Sequence, residues 1–334
     1  MKSRFLVGAT MLATVGAMLG GSAIAQRTGL VGALFEHARE RRIKVASDDP
    51  QMTLIHEPGD YRFTFPFEGV AREYLVHVPK GYRGFPMPLL MALHGGGGDA
   101  DFQADDARYR LISKSEQAGF IAVFPNGYSP RESGVLATWN AGACCGAAQK
   151  HDVDDVRFLR EVIIPVERQV RIASDRVFVT GMSNGGLMSW RMACESADLV
   201  RGIAPVEGTD NTRTCNPVRP VAVIEFHALD DDHIPFAGGR GVSALTDTNF
   251  VSVADTQAKW TLLDRAAPTA TRVLSVPGAH CDLRSAKTGG APVELCVTNS
   301  GGHSWPGGGL QHGREQPSMA INANDLMWTF FSSL

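Results

Sequence analysis

Short apolar segments alternate with helix-like segments along most of this 334-residue chain. The run at residues 89–93 is continuously apolar, as is typical of a strand buried on both faces. Alternating strands and helices favour a mostly parallel sheet with helices on both faces, so we predict an α/β fold. Strands are expected at residues 61–65, 73–78, 89–93, 120–124, 176–180, 221–226, 272–276 and 293–297, and helices at residues 105–118, 154–170, 186–195, 251–263 and 321–330.

The domain organisation follows from this unbroken rhythm. A length of 334 residues suggests two domains at about 150 residues each. No linker rich in Pro, Gly or Ser divides the chain, however, and no internal repeat is present. We therefore predict a single catalytic domain over residues 51–334. Residues 26–50 are interpreted as an N-terminal arm, with a helix on a membrane surface or partner as the alternative. Residues 128–153 form an irregular insertion that could line a site.

The first 25 residues have the pattern of a secretory signal peptide. Lys2 and Arg4 precede an apolar stretch at residues 5–19, and small residues follow at Ala23 and Ala25. A retained membrane anchor is the alternative. Cleavage after Ala25 predicts a secreted protein, extracellular or periplasmic, with no membrane association after the signal is removed.

The charge balance excludes one class of partner. The chain has 32 basic and 35 acidic residues, a net charge of −3, so a dominant basic patch for nucleic acid is not expected.

The six cysteines are expected to form disulfides in an oxidising compartment. Cys281 with Cys296 is the first pairing that we predict, because it closes one local excursion, and Cys194 with Cys215 is the second. A bond between neighbouring cysteines is a strained arrangement, and none is expected between residues 144 and 145. No Cys-x-x-Cys pair with matching histidine spacing occurs, so no metal site and no cofactor are predicted.

A nucleophile is indicated by Gly181-Met182-Ser183-Asn184-Gly185, which matches the pattern G-x-S-x-G. The pattern lies between a predicted strand and a predicted helix. A serine on such a turn takes a strained conformation that exposes its hydroxyl group at the carboxyl edge of the sheet. The helix N-terminus below it favours negative charge. We predict that Ser183 is a catalytic nucleophile.

A serine hydroxyl needs a base, and the base needs an orienting carboxylate. In α/β-hydrolases these partners follow the serine in the order acid, then histidine. Three aspartates at residues 230–232 come directly after a predicted strand, and at least one of them is expected to be only solvated. His303 follows a later strand in a Gly-rich loop and is the predicted base, with His280 as its main competitor.

Four glycines after a buried strand, in His94-Gly95-Gly96-Gly97-Gly98, predict an oxyanion hole. Glycines remove side chains, so backbone N–H groups can converge on an anion. We predict that the N–H groups of Gly96 and Asn184 hold the oxyanion, with Gly97 as a nearby candidate. The run lacks the phosphate-binding patterns of nucleotide-binding loops.

These pieces together resemble one family. They are the loop at residues 94–98, the segment 139–146 with Cys-Cys-Gly, the Ser183 turn, and Gly-His-Ser-Trp-Pro-Gly-Gly at residues 302–308. The resemblance is to the poly(3-hydroxybutyrate) depolymerase and feruloyl esterase group of secreted α/β-hydrolases, close to carbohydrate esterase family 1. It extends from about Gly59 to the end of the chain and implies a single-domain α/β-hydrolase fold.

The family's acid loop resembles H-G-T-x-D-x-x-V-P-Y. Placed on residues 227–236, this register assigns the catalytic acid to Asp231. The sequence departs from the pattern at Ala228, Leu229 and Phe236, so the substrate wall there is expected to differ.

The resemblance implies a serine esterase with an acyl-enzyme and a triad of Ser183, Asp231 and His303. The expected partners are hydroxyalkanoate esters such as oligomeric 3-hydroxybutyrate, or alternatively feruloyl or acetyl esters of plant polysaccharide. A serine peptidase and a non-catalytic binding protein are further alternatives. Substrate contacts are assigned to His94, Trp139 and Trp305, with packing in the core as an equal alternative for the two tryptophans.

Overall fold

Ten strands form one sheet in the computed structural model, which describes residues 53–310 and 316–334. The predicted signal peptide and N-terminal arm lie outside the described residues. The strands are β1 Gly59–Phe67, β2 Val70–Val78, β3 Met87–Leu93, β4 Ile121–Pro125, β5 Ile172–Met182, β6 Gly202–Val206, β7 Ala222–Ala228, β8 Thr271–Val276, β9 Ala279–Arg284 and β10 Val293–Thr298.

The strand order in the sheet is β1-β2-β4-β3-β5-β6-β7-β10-β9-β8. The central strands from β4 to β10 pair in parallel, whereas β1, β2, β9 and β8 extend the two edges with antiparallel pairs. Parallel strands are joined by crossover connections, which are usually helices. Strands such as β3 and β4 are continuous apolar runs because helices cover both faces of the sheet there. The predicted sheet, mostly parallel at its centre, is confirmed.

The helices of the described residues cover both faces of this sheet. They are α1 Ala100–Gln103, α2 Leu111–Ala118, α3 Gly146–Lys150, α4 Asp155–Gln169, α5 Asn184–Glu195, α6 Val253–Leu263 and α7 Ala323–Ser332. Phe158 of α4, Trp190 of α5 and Trp260 of α6 are fully buried in the apolar core on one face. Phe331 of α7 and Leu111 of α2 are buried in the core on the other face. Because the strands from β3 to β10 pair in parallel, the carboxyl ends of β3, β5, β7 and β10 lie at one edge of the sheet.

Several elements differ from the sequence prediction. Strands β6 and β9 were not predicted, and the helix expected over residues 105–118 begins only at Leu111. The insertion at residues 128–153 contains the short helix α3. Strand β6 contains a glycine and a proline, which weaken a strand pattern in sequence. Its residues are nevertheless all buried between β5 and β7.

The three disulfides are Cys194–Cys215, Cys281–Cys296 and Cys144–Cys145. The first two are the predicted pairs. The third corrects our expectation that neighbouring cysteines would not pair. That expectation rested on the strain of bridging two adjacent residues. Here the peptide bond is cis and the Cα atoms lie 3.1 Å apart. Among the described residues, no helix has the length and apolar character needed to cross a membrane.

Candidate active site

Ser183 lies at the turn that joins β5 to α5. Its backbone angles are φ 57° and ψ −120°, which a non-glycine residue adopts only under strain. The flanking glycines make the turn possible, since a Cβ atom on Gly181 would lie 2.5 Å from Gly185, and one on Gly185 would lie 2.2 Å from the Leu93 oxygen. The Ser183 N–H donates to the carbonyl oxygen of Val206 at 2.9 Å. The predicted strand–turn–helix context of Ser183 is therefore present.

Asp231 and His303 come together because the strands that precede them are neighbours. Strands β7 and β10 pair in parallel, so the loops after both strands lie at the same edge of the sheet. His303 Nδ1 is 2.8 Å from Asp231 Oδ2. A carboxylate can only accept here, so Nδ1 carries the proton, and Nε2 is the nitrogen that can receive one.

The environment of Asp231 keeps its carboxyl group ionised. Its Oδ1 accepts hydrogen bonds from the N–H groups of His233 at 2.8 Å and Ile234 at 2.9 Å. Burial alone would raise the pKa of Asp231, but the hydrogen bond and charge of His303, the charge of His227 and the Ile234 N–H together lower that pKa to about 2. Asp231 is thus an anion across the neutral range, as a carboxylate that orients a histidine must be.

The other two aspartates of the run have different neighbours. Asp230 accepts from the N–H of Gly302 at 2.9 Å and so fixes the loop that carries His303. Asp232 Oδ1 is 2.8 Å from His233 Nδ1. The competitor His280 lies inside β9 and is not among the residues that line the cavity described below.

The glycine loop after β3 lies directly against the serine turn. A Cβ atom on Gly95 would be 3.5 Å from the Ser183 Cβ, and one on Gly96 would be 3.6 Å from the Asn184 Cβ. Within residues 53–310 and 316–334, the N–H groups of Gly96 and Asn184 donate to no protein acceptor. The Gly97 N–H, in contrast, donates to the Ala137 oxygen at 2.8 Å. The Gly97 N–H is therefore already hydrogen-bonded, and the N–H groups of Gly96 and Asn184 remain the candidates for the oxyanion hole.

The three residues assigned to substrate contact are placed differently from the prediction. His94, Trp139 and Trp305 are each 0% exposed and do not line the cavity. They are large side chains in the core, and their polar atoms bond to the protein itself. Trp139 Nε1 donates to the His94 oxygen at 3.0 Å, and Trp305 Nε1 donates to Asn324 Oδ1 at 3.0 Å.

His94 and Trp139 instead shape the loop around the serine. His94 Nε2 accepts from the Gly127 N–H at 2.9 Å, so the ring proton is on Nδ1 and is donated to the Gly95 oxygen at 2.8 Å. Burial lowers the pKa of His94 to about 4 and keeps the ring neutral. The Trp139 N–H donates to Asn184 Oδ1 at 2.8 Å, while Asn184 Nδ2 donates to the Trp139 oxygen at 3.0 Å. This pair holds Asn184 beside Gly96.

A cavity of about 770 Å³ opens onto Ser183 and His303. Its wall is mostly apolar, and the insertion at residues 128–153 contributes to it, as predicted from its irregular sequence. The segment at residues 244–250 was not predicted to line a site. Its only signal is its position in the long connection that follows the acid loop. Apolar or aromatic lining residues include Tyr109, Leu187, Ile234, Ala244, Leu245 and Phe250.

Two groups of possible metal ligands among the described residues are not open to a metal. Cys194, Asp210 and Cys215 lie close together, but the two cysteines are joined as a disulfide. A disulfide sulfur has lost the thiolate that binds metals. Cys281, Glu294 and Cys296 form the second group, and their two cysteines are likewise joined as a disulfide.

Comparison with known proteins finds similarity to proteins named as esterases. Residues 72–204 match the family described as Esterase PHB depolymerase. Feruloyl esterase B of Piromyces equi is 27% identical over 241 residues, which are 70% of this chain and 42% of that protein. The putative esterase NocK of Nocardia uniformis subsp. tsuyamanensis is 27% identical over 257 residues, 72% of each chain. The chain thus spans less than half the length of one of these relatives.

Among solved structures, an acetyl xylan esterase from Aspergillus awamori matches with a TM-score of 0.53 and 14% sequence identity, over 78% of this chain and 94% of that one. This likeness concerns the fold. The predicted α/β-hydrolase fold is confirmed, and so is the resemblance to the poly(3-hydroxybutyrate) depolymerase and feruloyl esterase group.

Proposed function

We propose that the protein is a serine esterase that hydrolyses carboxylic esters through an acyl-enzyme. One observation carries the proposal. Ser183 on its strained turn and His303, which is hydrogen-bonded to Asp231, both border the same apolar cavity. The match to the esterase family and the similarity to proteins named esterases support it.

In the proposed reaction, Ser183 Oγ attacks the ester carbonyl carbon while His303 Nε2 takes the hydroxyl proton. Asp231 holds the imidazole in the required tautomer and stabilises the imidazolium that forms. The N–H groups of Gly96 and Asn184 donate to the oxyanion of the tetrahedral intermediate. His303 then returns the proton to the departing alcohol. Water attacks the acyl-enzyme by the same route in reverse and releases the acid.

For the substrate, we propose esters of hydroxyalkanoic acids, with oligomers of 3-hydroxybutyrate as the first class to test. The largely apolar wall of the cavity suits a short alkyl acyl chain, because burying it there removes apolar surface from water. The family description, which names PHB depolymerase, supports the same choice.

A second substrate class is favoured by a separate observation. Tyr109 and Phe250 both line the cavity, and aromatic rings of this kind pack well against an aromatic acyl group. The similarity to feruloyl esterase B points in the same direction. Feruloyl or acetyl esters of plant polysaccharide are therefore the alternative.

The test is hydrolysis of a substrate panel by the purified protein. We expect release of 3-hydroxybutyrate from its dimer and trimer, with methyl ferulate and acetylated xylan measured in parallel and a peptide p-nitroanilide as the amide comparison. Ser183→Ala should lose all ester hydrolysis. Ser189→Ala is the matched control, since its hydroxyl donates to Gly185 O and does not border the cavity. Wild-type rates in Ser183→Ala would refute the proposal.

We also propose that the protein is exported. The three disulfides support an oxidising compartment. Expression with the native N-terminus, followed by N-terminal sequencing of the exported material, should give a chain that begins at Gln26. A chain that stays cell-associated with residues 1–25 intact would refute this part.

A further inference from the structure

Tyr109 is held rigidly in the wall of the cavity. Its N–H donates to the Asp105 oxygen at 3.0 Å, and its carbonyl oxygen accepts from Asn324 Nδ2 at 2.8 Å. Its ring meets two aromatic neighbours edge to face, with centroids 5.9 Å from that of Phe102 and 5.3 Å from that of Trp305. The residue is 1% exposed. The position of its hydroxyl group is therefore set by the fold before a substrate binds.

Among the described residues, the hydroxyl group of Tyr109 has no hydrogen-bond partner. The hydrogen bonds of this residue are those of its backbone, although a buried tyrosine hydroxyl usually finds a partner. The oxygen is not one of the side-chain atoms that are fully buried without a partner. Because Tyr109 borders the cavity, this oxygen is open to a bound molecule. Burial raises the pKa of Tyr109, so the hydroxyl keeps its proton and can both donate and accept.

The other polar side chains of the cavity wall, apart from the nucleophile, are already hydrogen-bonded within the protein. Thr138 Oγ1 accepts from the Ala148 N–H at 3.0 Å, and Thr246 Oγ1 is 2.9 Å from Thr248 Oγ1. The same holds for the side chains of Asn184, His233 and His303. In an apolar binding site, a small number of placed polar groups fixes the orientation of the ligand. The Tyr109 hydroxyl is such a group.

Tyr109 lies on the side of the cavity that carries the base. Trp305, against which its ring packs, comes two residues after His303. The carbonyl oxygen of Arg108 accepts from the Gly309 N–H at 2.7 Å, which joins the same loop to this segment. A polar substituent near the ester carbonyl group at Ser183 can therefore meet the Tyr109 hydroxyl.

We propose that Tyr109 makes the site selective for esters of 3-hydroxyalkanoic acids, through a hydrogen bond between its hydroxyl group and the oxygen on the third carbon of the acyl chain. A plain acyl chain would displace water from the hydroxyl and leave it unpaired, which disfavours that substrate. The subsite thus distinguishes a 3-hydroxybutyryl group from a butyryl group, which lacks that oxygen. This selectivity rests on the proposed function.

The first measurement is the ratio of kcat/KM for p-nitrophenyl 3-hydroxybutyrate to that for p-nitrophenyl butyrate. Tyr109→Phe keeps the ring and removes an oxygen that has no partner among the described residues. We expect the ratio to fall by about three- to tenfold, the usual effect of one hydrogen bond between neutral groups. Tyr61→Phe is the matched control and should keep the wild-type ratio, since the Tyr61 hydroxyl donates to the Glu57 oxygen and does not border the cavity.

Two results of this measurement would overturn the proposal. One is an unchanged ratio in Tyr109→Phe. The other is a fall in Tyr109→Phe that is confined to methyl ferulate relative to methyl cinnamate, because it would place a phenolic hydroxyl group at Tyr109 instead.

The second measurement separates this subsite from the catalytic proposal. NMR titration of Ser183→Ala with methyl 3-hydroxybutyrate and with methyl butyrate gives dissociation constants without turnover. Adding Tyr109→Phe should weaken binding of the hydroxy ester about three- to tenfold relative to the plain ester. Unchanged relative binding would overturn the proposal. A wild type that hydrolyses neither ester, while relative binding depends on Tyr109, would overturn the proposed function alone.

Discussion

Asp264 offers a direct test of how burial shapes this fold. It ends α6 and is 0% exposed. Its Oδ1 accepts from the Val221 N–H at 2.8 Å, just before strand β7, which leads to Asp231. Within the described part of the chain, its Oδ2 is buried and has no hydrogen-bond partner. Burial raises the pKa of Asp264 to about 8, and the Val221 N–H opposes this only partly.

The size and sign of the effect follow from proton linkage. An unfolded aspartate has a pKa of about 3.9, so between roughly pH 4 and pH 8 the folded chain holds a proton that the unfolded chain has lost. Stability should therefore fall as pH rises, by about 1.4 kcal/mol for each pH unit, and level off above the folded pKa. Over the whole interval of about four pH units, the loss of unfolding free energy is about 6 kcal/mol.

Asp264→Asn isolates this contribution because asparagine is neutral at every pH and still accepts from Val221. Urea unfolding of both proteins at pH 5, 6, 7, 8 and 9 gives the difference in unfolding free energy. We expect the unfolding free energy of the variant to rise steadily relative to that of the wild type up to about pH 8. Above that pH the difference should stay constant. A difference that does not change with pH would refute the reasoning.

Three further substitutions test other parts of the structure. Asp231→Asn should lower kcat for p-nitrophenyl butyrate by roughly 10³–10⁴-fold, because the amide favours the wrong histidine tautomer. An unchanged kcat would contradict the assignment of the acid. Replacing Cys194 and Cys215 by alanine should lower the unfolding free energy by about 3 kcal/mol in urea, since their bond closes a 21-residue separation. Asp155→Ala should lower the unfolding free energy by about 3–5 kcal/mol, measured by thermal or urea unfolding. The substitution leaves the buried Arg72 without the carboxylate that lies 2.9 Å away, and a loss below about 1 kcal/mol would contradict this reason.

The elements that could be predicted are those with a local signal. Strand β3 is a continuous apolar run, and the turn at Ser183 combines a strand, two glycines and a helix in adjacent residues. Strand β9, in contrast, contains His280 and Asp282 and is only partly buried near the edge of the sheet. Its residues alternate between apolar and polar as in a half-buried strand, but over only six residues, and its antiparallel partner β10 is the next strand along the chain.

The same distinction applies to the site. Motif order led us to predict Ser183 and His303, and the register of the acid loop led to Asp231, which the structure places 2.8 Å from His303. The buried places of Trp139 and Trp305 could not be predicted, because a tryptophan next to a motif residue can point into the cavity or into the core. The direction of each tryptophan side chain depends on how the sheet and its helices pack together. The stacking of His233 on His303 likewise joins residues 70 positions apart and has no local signal.

The central claim is that Ser183 is an activated nucleophile. Incubation of the native protein with a fluorophosphonate probe, followed by peptide mass spectrometry, tests it most directly. We expect a single adduct on Ser183, its loss in Ser183→Ala, and slow labelling in His303→Ala because the base is absent. A wild type that stays unlabelled, or an adduct that persists in Ser183→Ala, would contradict the account.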